Sequence, residues 1–443
     1  MDEKRGDRTI PGLDLEEKMD AMSQRQTIEQ GQLARVREML AVVLEGNRFY
    51  RNKYRGLSDA RAIDSMAAFK RLPFTLKTEL VRDQAENPPF GAILTFPVER
   101  YLRIHQTSGT SGNPLYWLDT AESWDWWTKC WKTVFEGTGV RPGDRIYFPF
   151  SFGPFIGFWS AWDSAHRIGA LAIAGGGQAT HQRLKAIVDY RATVVVCTPT
   201  YALRMAAEAA NSGIDLTKEA EVRVVINAGE PGASIPATKK KIEDAWGARC
   251  YDHAGATEVG AWGFECEPQP GGVHVNEEEF LAEVIDPETG ADVADGEQGE
   301  LVITNLGRIC SPVIRYRTGD CVQAVHTPCP CGRPFVLLEG GVIGRVDDMF
   351  VVRGVNVFPS AIENLMRQFP EVNEYRIETY RRNELQELRL VVEPIAHRPH
   401  DDDLQHRILV KLHENLGLRP EVEVVAPGTL PHSEHKSRRF VRL

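Results

Sequence analysis

The sequence predicts an α/β protein in which a large N-terminal domain of helix-covered sheets precedes a small α+β domain. Between residues 100 and 340, short β-branched runs such as Thr193 to Cys197 alternate with helical stretches such as Gln182 to Tyr190. Such alternation is typical of sheets that are covered by helices. The last hundred residues have a different pattern, so we expect domains at 1–343 and 344–443.

The other elements of the large domain follow from the spacing of apolar residues. Residues 15–55 are predicted to be helical, because apolar residues recur there at helical spacing. Further strands are predicted at Val222 to Asn227 and at Glu300 to Thr304, and a helix is predicted at Ala202 to Ala210.

In the small domain, Pro359 is predicted to open a helix, since proline suits the first helical turn. Two strand-like runs follow, Tyr375 to Tyr380 and Leu388 to Val392. A second amphipathic helix begins at the acidic run Asp401 to Asp403, where negative charge suits the helix dipole. A strand at Glu421 to Val425 completes the set.

The composition is that of an ordinary globular chain, with 443 residues of which 42% are hydrophobic and 26% charged. The formal net charge of −10 provides no broad attraction for nucleic acid, so a bound anion must be held by a local site. No apolar run approaches the roughly 18 residues of a membrane span, and the first residues lack the apolar core of a signal peptide. We therefore expect a cytoplasmic protein without nucleic-acid or membrane partners. Its eight cysteines are then core residues, metal ligands or free thiols.

The segment Thr107 to Pro114, TSGTSGNP, combines four hydroxyl side chains with two glycines. Glycines let the backbone approach an anion closely, and hydroxyls and backbone N–H groups donate to phosphate oxygens. The GK[ST] ending of a Walker A loop is absent. By composition alone the segment is more typical of a surface turn, so its interpretation as a phosphate loop depends on the rest of the chain.

Five further segments complete a known pattern. They are Asn227 to Pro231 (NAGEP), Asp252 to Glu258 (DHAGATE), Arg315 to Asp320 (RYRTGD), Gly344 to Asp348 (GRVDD) and Lys436 within HKSRR. With the phosphate loop they resemble the adenylate-forming superfamily of acyl-CoA synthetases, adenylation domains and luciferases. The stretches NRFYRNKY, LPFTLKTEL and RGVNVFPSAIE look more specifically like the phenylacetate-CoA ligase branch.

The resemblance implies an enzyme that uses ATP to convert a carboxylic acid to an acyl adenylate and then transfers the acyl group to CoA. It implies nucleotide contacts from Thr107, Ser108, Gly109, Thr110, Ser111, Gly112, Gly229, Glu230, Pro231, Asp252, Asp320 and Arg345. Thr257 would contact the α-phosphate, and Glu258 would hold Mg²⁺, a hard cation that oxygen ligands suit. Lys436 would approach the α-phosphate and the acyl oxygens as a mobile point charge.

The resemblance also implies that the small domain is mobile and swings between the two half-reactions about a hinge near Asp347. Two positions depart from the family pattern. Asn113 replaces a usual lysine, and Ala254 replaces a usual aromatic residue that stacks on adenine. His253 is adjacent to Ala254 but points elsewhere on a regular strand. Two alternatives follow: another aromatic residue holds adenine, or ATP binding is weaker.

A metal site is predicted at Cys329-Pro330-Cys331, which lies in a turn-rich stretch, with Cys266 and His274 upstream. Three cysteines and a histidine form a complete tetrahedral set for a structural zinc ion. The tight C-x-C spacing leaves an alternative, in which these cysteines are unrelated small buried residues. The replacement ligand candidates are Cys250, Cys310 and Cys321.

Aromatic residues crowd the ranges Trp124 to Trp131 and Phe148 to Trp162. Such stripes are more often core than pocket, but in the family the segment Phe148 to Phe158 lies where the acyl group sits. Aromatic walls suit a flat ring, so an aryl or arylacetic acid is the expected substrate. A substrate amine or hydroxyl would need a polar partner that the sequence does not identify.

Two other functions stay open. One keeps the adenylation and transfers the acyl group to a carrier-protein thiol or to an amine in a biosynthetic pathway. The other, of a different class, is a weakly active nucleotide-binding or sensing protein, which Asn113 and Ala254 make conceivable. The sequence leaves the oligomeric state open, with a homodimer among the options.

Overall fold

The computed structural model describes residues 15–107, 114–352, 355–382, 385–395, 403–431 and 439–443. The predicted site residues that lie outside these ranges are Ser108, Gly109, Thr110, Ser111, Gly112 and Lys436, together with Asn113. Within the described ranges, none of the helices has the length and apolar character that crossing a membrane requires.

In the described part of the chain, four α-helices precede the first strand of the large domain in sequence. The helix α1 (Leu15–Gly46) buries its predicted apolar face, because Val36, Leu40 and Val43 have no exposed surface. The next three helices are α2 (Arg48–Lys53), α3 (Met66–Phe69) and α4 (Lys77–Glu86).

The segment that flanks the predicted phosphate loop is a separate two-stranded sheet. Its antiparallel strands are β1 (Arg103–Gln106) and β2 (Tyr116–Asp119). The helix α5 (Ala121–Gly137) follows β2 directly, and the Thr120 side chain caps it by accepting from the backbone N–H of Ser123.

The first half of the large sheet is parallel. Its strands are β3 (Arg145–Phe148), β4 (Leu171–Ala174), β5 (Val194–Cys197), β6 (Val224–Asn227) and β7 (Arg249–Ala256). The helices between them are α6 (Trp159–Arg167), α7 (Thr180–Asp189), α8 (Pro199–Asn211), α9 (Leu216–Glu219) and α10 (Pro236–Trp246). The strand order is β4–β3–β5–β6–β7. The predicted strands β5 and β6 and the predicted helices α7 and α8 are confirmed.

The second half of the sheet is antiparallel and continues from β7. Its strands are β8 (Gly260–Cys266), β9 (Gln269–Val275), β10 (Phe280–Ile285), β11 (Gln298–Asn305), β12 (Tyr316–Val325), β13 (Leu337–Glu339) and β14 (Gly344–Arg345). The order from β7 is β8–β9–β13–β12–β11–β10, and β14 pairs with β12. Because β7 joins both halves, residues that follow it lie where the carboxyl ends of the parallel strands meet, which is the usual ligand edge of such sheets.

The small domain is the predicted α+β unit with its own core. Its elements are β15 (Phe350–Val352), β16 (Val355–Val357), α11 (Pro359–Met366), β17 (Val372–Arg382), β18 (Leu385–Pro394), α12 (Leu404–Leu416), β19 (Glu421–Val424) and β20 (Phe440–Arg442). The four-stranded sheet has the order β19–β18–β17–β20. Ile362, Ile408 and Leu412 are fully buried between this sheet and its helices.

The two parts of the chain touch along α10 and α11. The backbone N–H of Ala237 donates to Asn364 Oδ1 at 3.2 Å. The Phe358 ring lies against Gly344, where a Cβ atom would approach a ring carbon to 2.6 Å. The mixed α/β fold, with a large sheet-and-helix domain and a smaller C-terminal sheet domain, therefore agrees with the predicted fold class.

Candidate active site

Thr107 forms hydrogen bonds with Leu115, on the other side of the predicted phosphate loop. Its backbone N–H donates to the Leu115 carbonyl at 2.9 Å, and its hydroxyl oxygen accepts from the Leu115 N–H at 3.0 Å. These two bonds join the ends of the segment between β1 and β2. The buried Thr107 therefore shapes the base of the loop, and its hydroxyl hydrogen is still available to an acceptor.

Thr257 and Glu258 follow β7, and a buried guanidinium holds their backbone. Arg308 Nη1 donates to the Thr257 carbonyl at 2.7 Å and to the Glu258 carbonyl at 3.3 Å. The Arg308 side chain has no exposed surface. Because one guanidinium holds both carbonyl oxygens, it fixes the backbone from which the Thr257 and Glu258 side chains project.

Arg308 is itself held by Asp119, the last residue of β2. Arg308 Nε and Nη2 donate to the two Asp119 carboxylate oxygens at 2.8 and 2.7 Å. The guanidinium lies 5.2 Å from the ring centroids of both Trp117 and Trp127. A bidentate pair of this kind is strong and geometrically specific. It links the strand after the phosphate loop to the segment that carries Glu258.

The Glu258 carboxylate is largely enclosed, with a side chain that is 10% exposed. Its Oε1 lies 3.4 Å from Lys77 Nζ, which is longer than a normal hydrogen bond. A single enclosed carboxylate is a ligand that suits Mg²⁺, because this ion usually takes one or two protein carboxylates and several substrate or water oxygens.

The Gly229-Glu230-Pro231 segment is a turn at the carboxyl end of β6. Gly229 has a φ of +92°, a conformation that glycine adopts without strain. Glu230 Oε1 accepts from the backbone N–H of Thr200 at 2.9 Å, so the turn is tied to the first turn of α8. Glu230 is thus occupied by a structural contact.

Asp252 is a half-buried residue on the strand next to this turn. It pairs in register with Asn227, and its backbone N–H donates to Glu265 Oε2 at 2.8 Å. Lys239 Nζ lies 2.5 Å from the other oxygen of Glu265. Burial, followed by the charge of Glu265, raises the pKa of Asp252 to about 7. Asp252 shares its face of β7 with Ala254.

Asp320 and Arg345 pair across β12 and β14, so Asp320 lies in a strand. Arg345 Nη1 contacts Asp320 Oδ1 at 3.1 Å and donates to the Thr318 carbonyl at 2.6 Å. Gly319 has a φ of +75°, and a Cβ atom there would lie 2.5 Å from Arg345 Nη2. The glycine therefore makes room for the guanidinium. Burial raises the pKa of Asp320, while the Arg345 charge opposes that effect.

The predicted zinc ligands converge on one point. The ligand atoms of Cys266, His274, Cys329 and Cys331 all lie within 4.8 Å of one another. Cys266 Sγ is 3.5 Å from Cys329 Sγ and 3.6 Å from His274 Nε2, which is 3.7 Å from Cys331 Sγ. A tetrahedral zinc ion with bonds of about 2.0–2.3 Å separates its ligand atoms by roughly 3.5–3.8 Å. The four residues therefore fit zinc.

The aromatic residues divide into two groups. Trp126 belongs to the core on the far side of α5, where its Nε1 donates to Glu279 and its ring packs on Phe280. A second group is continuous in space and lies between α5, the β3–α6 connection and β7. We call it the aromatic cluster; its members are Trp131, Phe148, Phe150, Phe152, Phe158, Trp159, Trp162 and His253.

Sequence reasoning missed Arg308 and assigned no role to His253. Arg308 lies three residues after the end of β11, and a fully buried arginine is almost always paired with a charge. Its partner Asp119 lies 189 positions away, so no local pattern reveals the contact. His253 was expected to point away from the Ala254 face, and it does: its ring packs on Trp131 with centroids 4.2 Å apart.

The chain matches the family models of AMP-binding enzymes. The model for the AMP-binding enzyme matches residues 98–307, and the model for the AMP-binding enzyme C-terminal domain matches residues 354–442. The phenylacetate-coenzyme A ligase of Thermus thermophilus is 31% identical over 437 residues, which cover 92% of this chain and 95% of that protein. The Escherichia coli ligase of the same name is 30% identical, with coverage of 93% and 94%.

The chain therefore belongs to the AMP-binding enzyme family, in the branch of the phenylacetate-CoA ligases. It is an AMP-forming acid–thiol ligase, which activates a carboxylic acid with ATP and passes the acyl group to CoA.

Solved structures of a related ligase allow a comparison with two of its conformational states. The 2-hydroxyisobutyryl-CoA ligase in the postadenylation state, in complex with 2-HIB-AMP, has a TM-score of 0.88 at 29% identity, with 94% of this chain and 89% of that chain covered. In the thioesterification state, with CoA, the same ligase has a TM-score of 0.71 at coverage of 94% and 90%. Because coverage is nearly unchanged, the lower score reflects a different arrangement of parts. The structure therefore resembles the postadenylation structure of that ligase more than its thioesterification structure.

Proposed function

We propose that the chain activates an aryl or arylacetic acid and forms its CoA thioester. The observation that carries this proposal is the aromatic cluster beside β7, the strand that leads into Thr257 and Glu258. Flat apolar side chains around a site favour a flat apolar acyl group. The relatives named phenylacetate-coenzyme A ligases have the matching substrate class.

In the first half-reaction, a carboxylate oxygen attacks the α-phosphorus of ATP and pyrophosphate leaves. Two anions must meet, so the site must neutralise charge. We assign Glu258 to Mg²⁺, Thr257 to the α-phosphate, and the loop from Thr107 to Gly112 to the β- and γ-phosphates. Lys436 adds a positive charge at the α-phosphate and the acyl oxygens.

The nucleoside is proposed to lie along the carboxyl ends of the strands. The Gly229-Glu230-Pro231 turn runs along adenine, with Asp252 on the same side of the sheet. Asp320 accepts from the ribose hydroxyls, as a carboxylate can from two O–H donors, and the adjacent Arg345 keeps its charge in place. In the second half-reaction the CoA sulfur attacks the acyl carbon and AMP leaves.

Carboxylate-dependent exchange of pyrophosphate into ATP tests this function. We expect exchange with phenylacetate or a ring-substituted relative, and little with 2-hydroxyisobutyrate, the acid in the name of the similar solved ligase. Adding CoA should then yield the thioester. Exchange without a thioester would favour a carrier-protein thiol or an amine as the acceptor. If none of the aryl acids supported exchange, the proposal would be contradicted.

We further propose that Cys266, His274, Cys329 and Cys331 bind a structural zinc ion. Three thiolates and one imidazole complete a tetrahedral set without an open position, which is typical of structural sites. The set joins β8, β9 and the connection before β13, so the ion would tie that connection to the sheet.

Purified protein is expected to contain about one equivalent of zinc by elemental analysis. Cys329→Ser should remove most of it and lower the melting temperature, because a ligand is lost. Cys321→Ser is the matched control, since Cys321 is also buried but lies in β12 outside the set. Protein without zinc, or equal zinc loss in both variants, would rule out the site.

A cytoplasmic location is also proposed, and the eight unpaired cysteines support a reducing compartment. The homodimer stays a prediction.

A further inference from the structure

His253 lies on the face of β7 opposite Asp252 and Ala254, toward the aromatic cluster. Side chains alternate along a strand, so His253 and Gly255 share one face. The His253 side chain is 6% exposed, and its ring packs on Trp131 with centroids 4.2 Å apart. The other members of the aromatic cluster are phenylalanine and tryptophan rings, and a second histidine, His166, packs edge-on against Trp162 with centroids 5.7 Å apart.

One nitrogen of His253 is committed to the neighbouring strand. Nδ1 lies 2.6 Å from the Gly263 carbonyl oxygen on β8. A carbonyl can only accept, so Nδ1 carries the hydrogen. Burial lowers the pKa of His253 to about 4, and the ring is therefore neutral near pH 7. Nε2 then presents a lone pair and acts only as an acceptor.

The other nitrogen has no donor among the described residues. Nε2 lies over Gly255, since a Cβ atom built there would be 3.2 Å from it. The enclosed polar atoms that lack a partner include His105 Nδ1 and His274 Nδ1, but not His253 Nε2. The Nε2 atom therefore keeps some exposed surface beside Gly255, which lies two residues before Thr257.

The surroundings of Nε2 are those proposed for the acyl group. Trp131 packs on His253 and also on Phe158. The ring centroids of Trp131 and Phe158 are 6.1 Å apart. Phe158 in turn packs edge-on against Phe150 at 5.3 Å. Once a bound acyl group covers this acceptor, it is unfavourable unless the ligand donates a hydrogen bond to it.

We infer that His253 Nε2 is a specificity determinant that selects aryl acids with a ring hydroxyl or amino group, by accepting a hydrogen bond from that group. The inference rests on the proposed function and narrows its substrate class. A substituent that cannot donate leaves Nε2 desolvated and unpaired in the bound complex. Sites built around a substrate donor discriminate strongly against analogues that lack it.

The test compares kcat/KM for ortho-, meta- and para-hydroxyphenylacetate with the chloro analogue at each position, in wild-type protein. At one position we expect the hydroxyl compound to be favoured by roughly 5- to 150-fold, which corresponds to leaving one buried acceptor unpaired. His253→Phe should remove this preference, so that the ratio of kcat/KM for the hydroxyl and chloro compounds falls toward one. His253→Gln, which retains an acceptor, should keep part of it. His326→Phe, at an exposed histidine, should keep all of it.

Equal use of hydroxyl and chloro compounds by the wild type, at every position, would overturn the inference and leave the proposed function standing. The same hydroxyl preference in wild type and His253→Phe would do so as well. Absence of turnover with any aryl acid would overturn both. The wild-type comparison decides the matter even where the His253 variants do not fold.

Discussion

Replacing Arg308 with methionine is expected to lower the free energy of unfolding by about 3–5 kcal/mol and to slow adenylation roughly a hundredfold. The stability loss arises because Asp119, which has no exposed surface, keeps a buried charge without its partner. The activity loss arises because the Thr257 and Glu258 carbonyls lose their donor. Chemical denaturation measures the first effect, and pyrophosphate exchange measures the second.

The double variant Asp119→Leu/Arg308→Met separates the two roles. Removing both charges should restore much of the stability, since a buried pair is often replaceable by apolar residues. Adenylation should stay slow, because nothing then holds the Thr257 and Glu258 backbone. Recovery of activity together with stability would reduce Arg308 to a structural role. Arg61→Met is the control, as the Arg61 side chain is 90% exposed and should tolerate the change.

Asp347→Pro is expected to slow thioester formation by roughly 5- to 150-fold, which corresponds to about 1–3 kcal/mol of backbone strain in one conformation. Proline fixes φ, and the structure resembles the postadenylation structure of the related ligase more than its thioesterification structure. Pyrophosphate exchange should therefore change less than the transfer of a preformed acyl adenylate to CoA. Rapid-quench measurement of each half-reaction checks this.

Asp347→Ala is the matched control for the hinge. It removes the contact between Asp347 Oδ1 and Arg345 Nε at 3.1 Å but leaves φ free. The Asp347 side chain is 71% exposed, so packing should not suffer. If proline and alanine slow both half-reactions equally, the hinge does not lie at this residue.

Local pattern was sufficient for much of the fold. The runs that became β5 and β6 and the apolar stripes of α7 and α11 are signals carried within a few residues. The antiparallel half was harder, because β13 inserts between β9 and β12, and such pairing depends on contacts between distant segments. The RYRTGD segment illustrates the difference: Asp320, which alone is typical of a turn, lies in β12.

The site was predicted as a set of motifs, whereas its supporting contacts were not. Residues such as Glu258 belong to compact segments that sequence alone can identify. Arg308 gains its role from Asp119 and the Thr257 carbonyl, and His253 gains its acceptor from the Gly263 carbonyl on the next strand. Both roles arise from the tertiary structure, and no local sequence pattern predicts either of them.

The half-buried Asp252 carboxyl makes the stability of the protein depend on pH near neutrality. Its pKa is raised from 3.8 to about 7, so the folded protein holds the proton more tightly than the unfolded chain. The resulting contribution to stability is fully present below about pH 4 and is lost as the pH rises through about 7. At higher pH the unligated protein carries an unfavourable charge. Asp252 therefore lowers the stability of the protein above that pH, at a residue that we propose contacts the nucleotide.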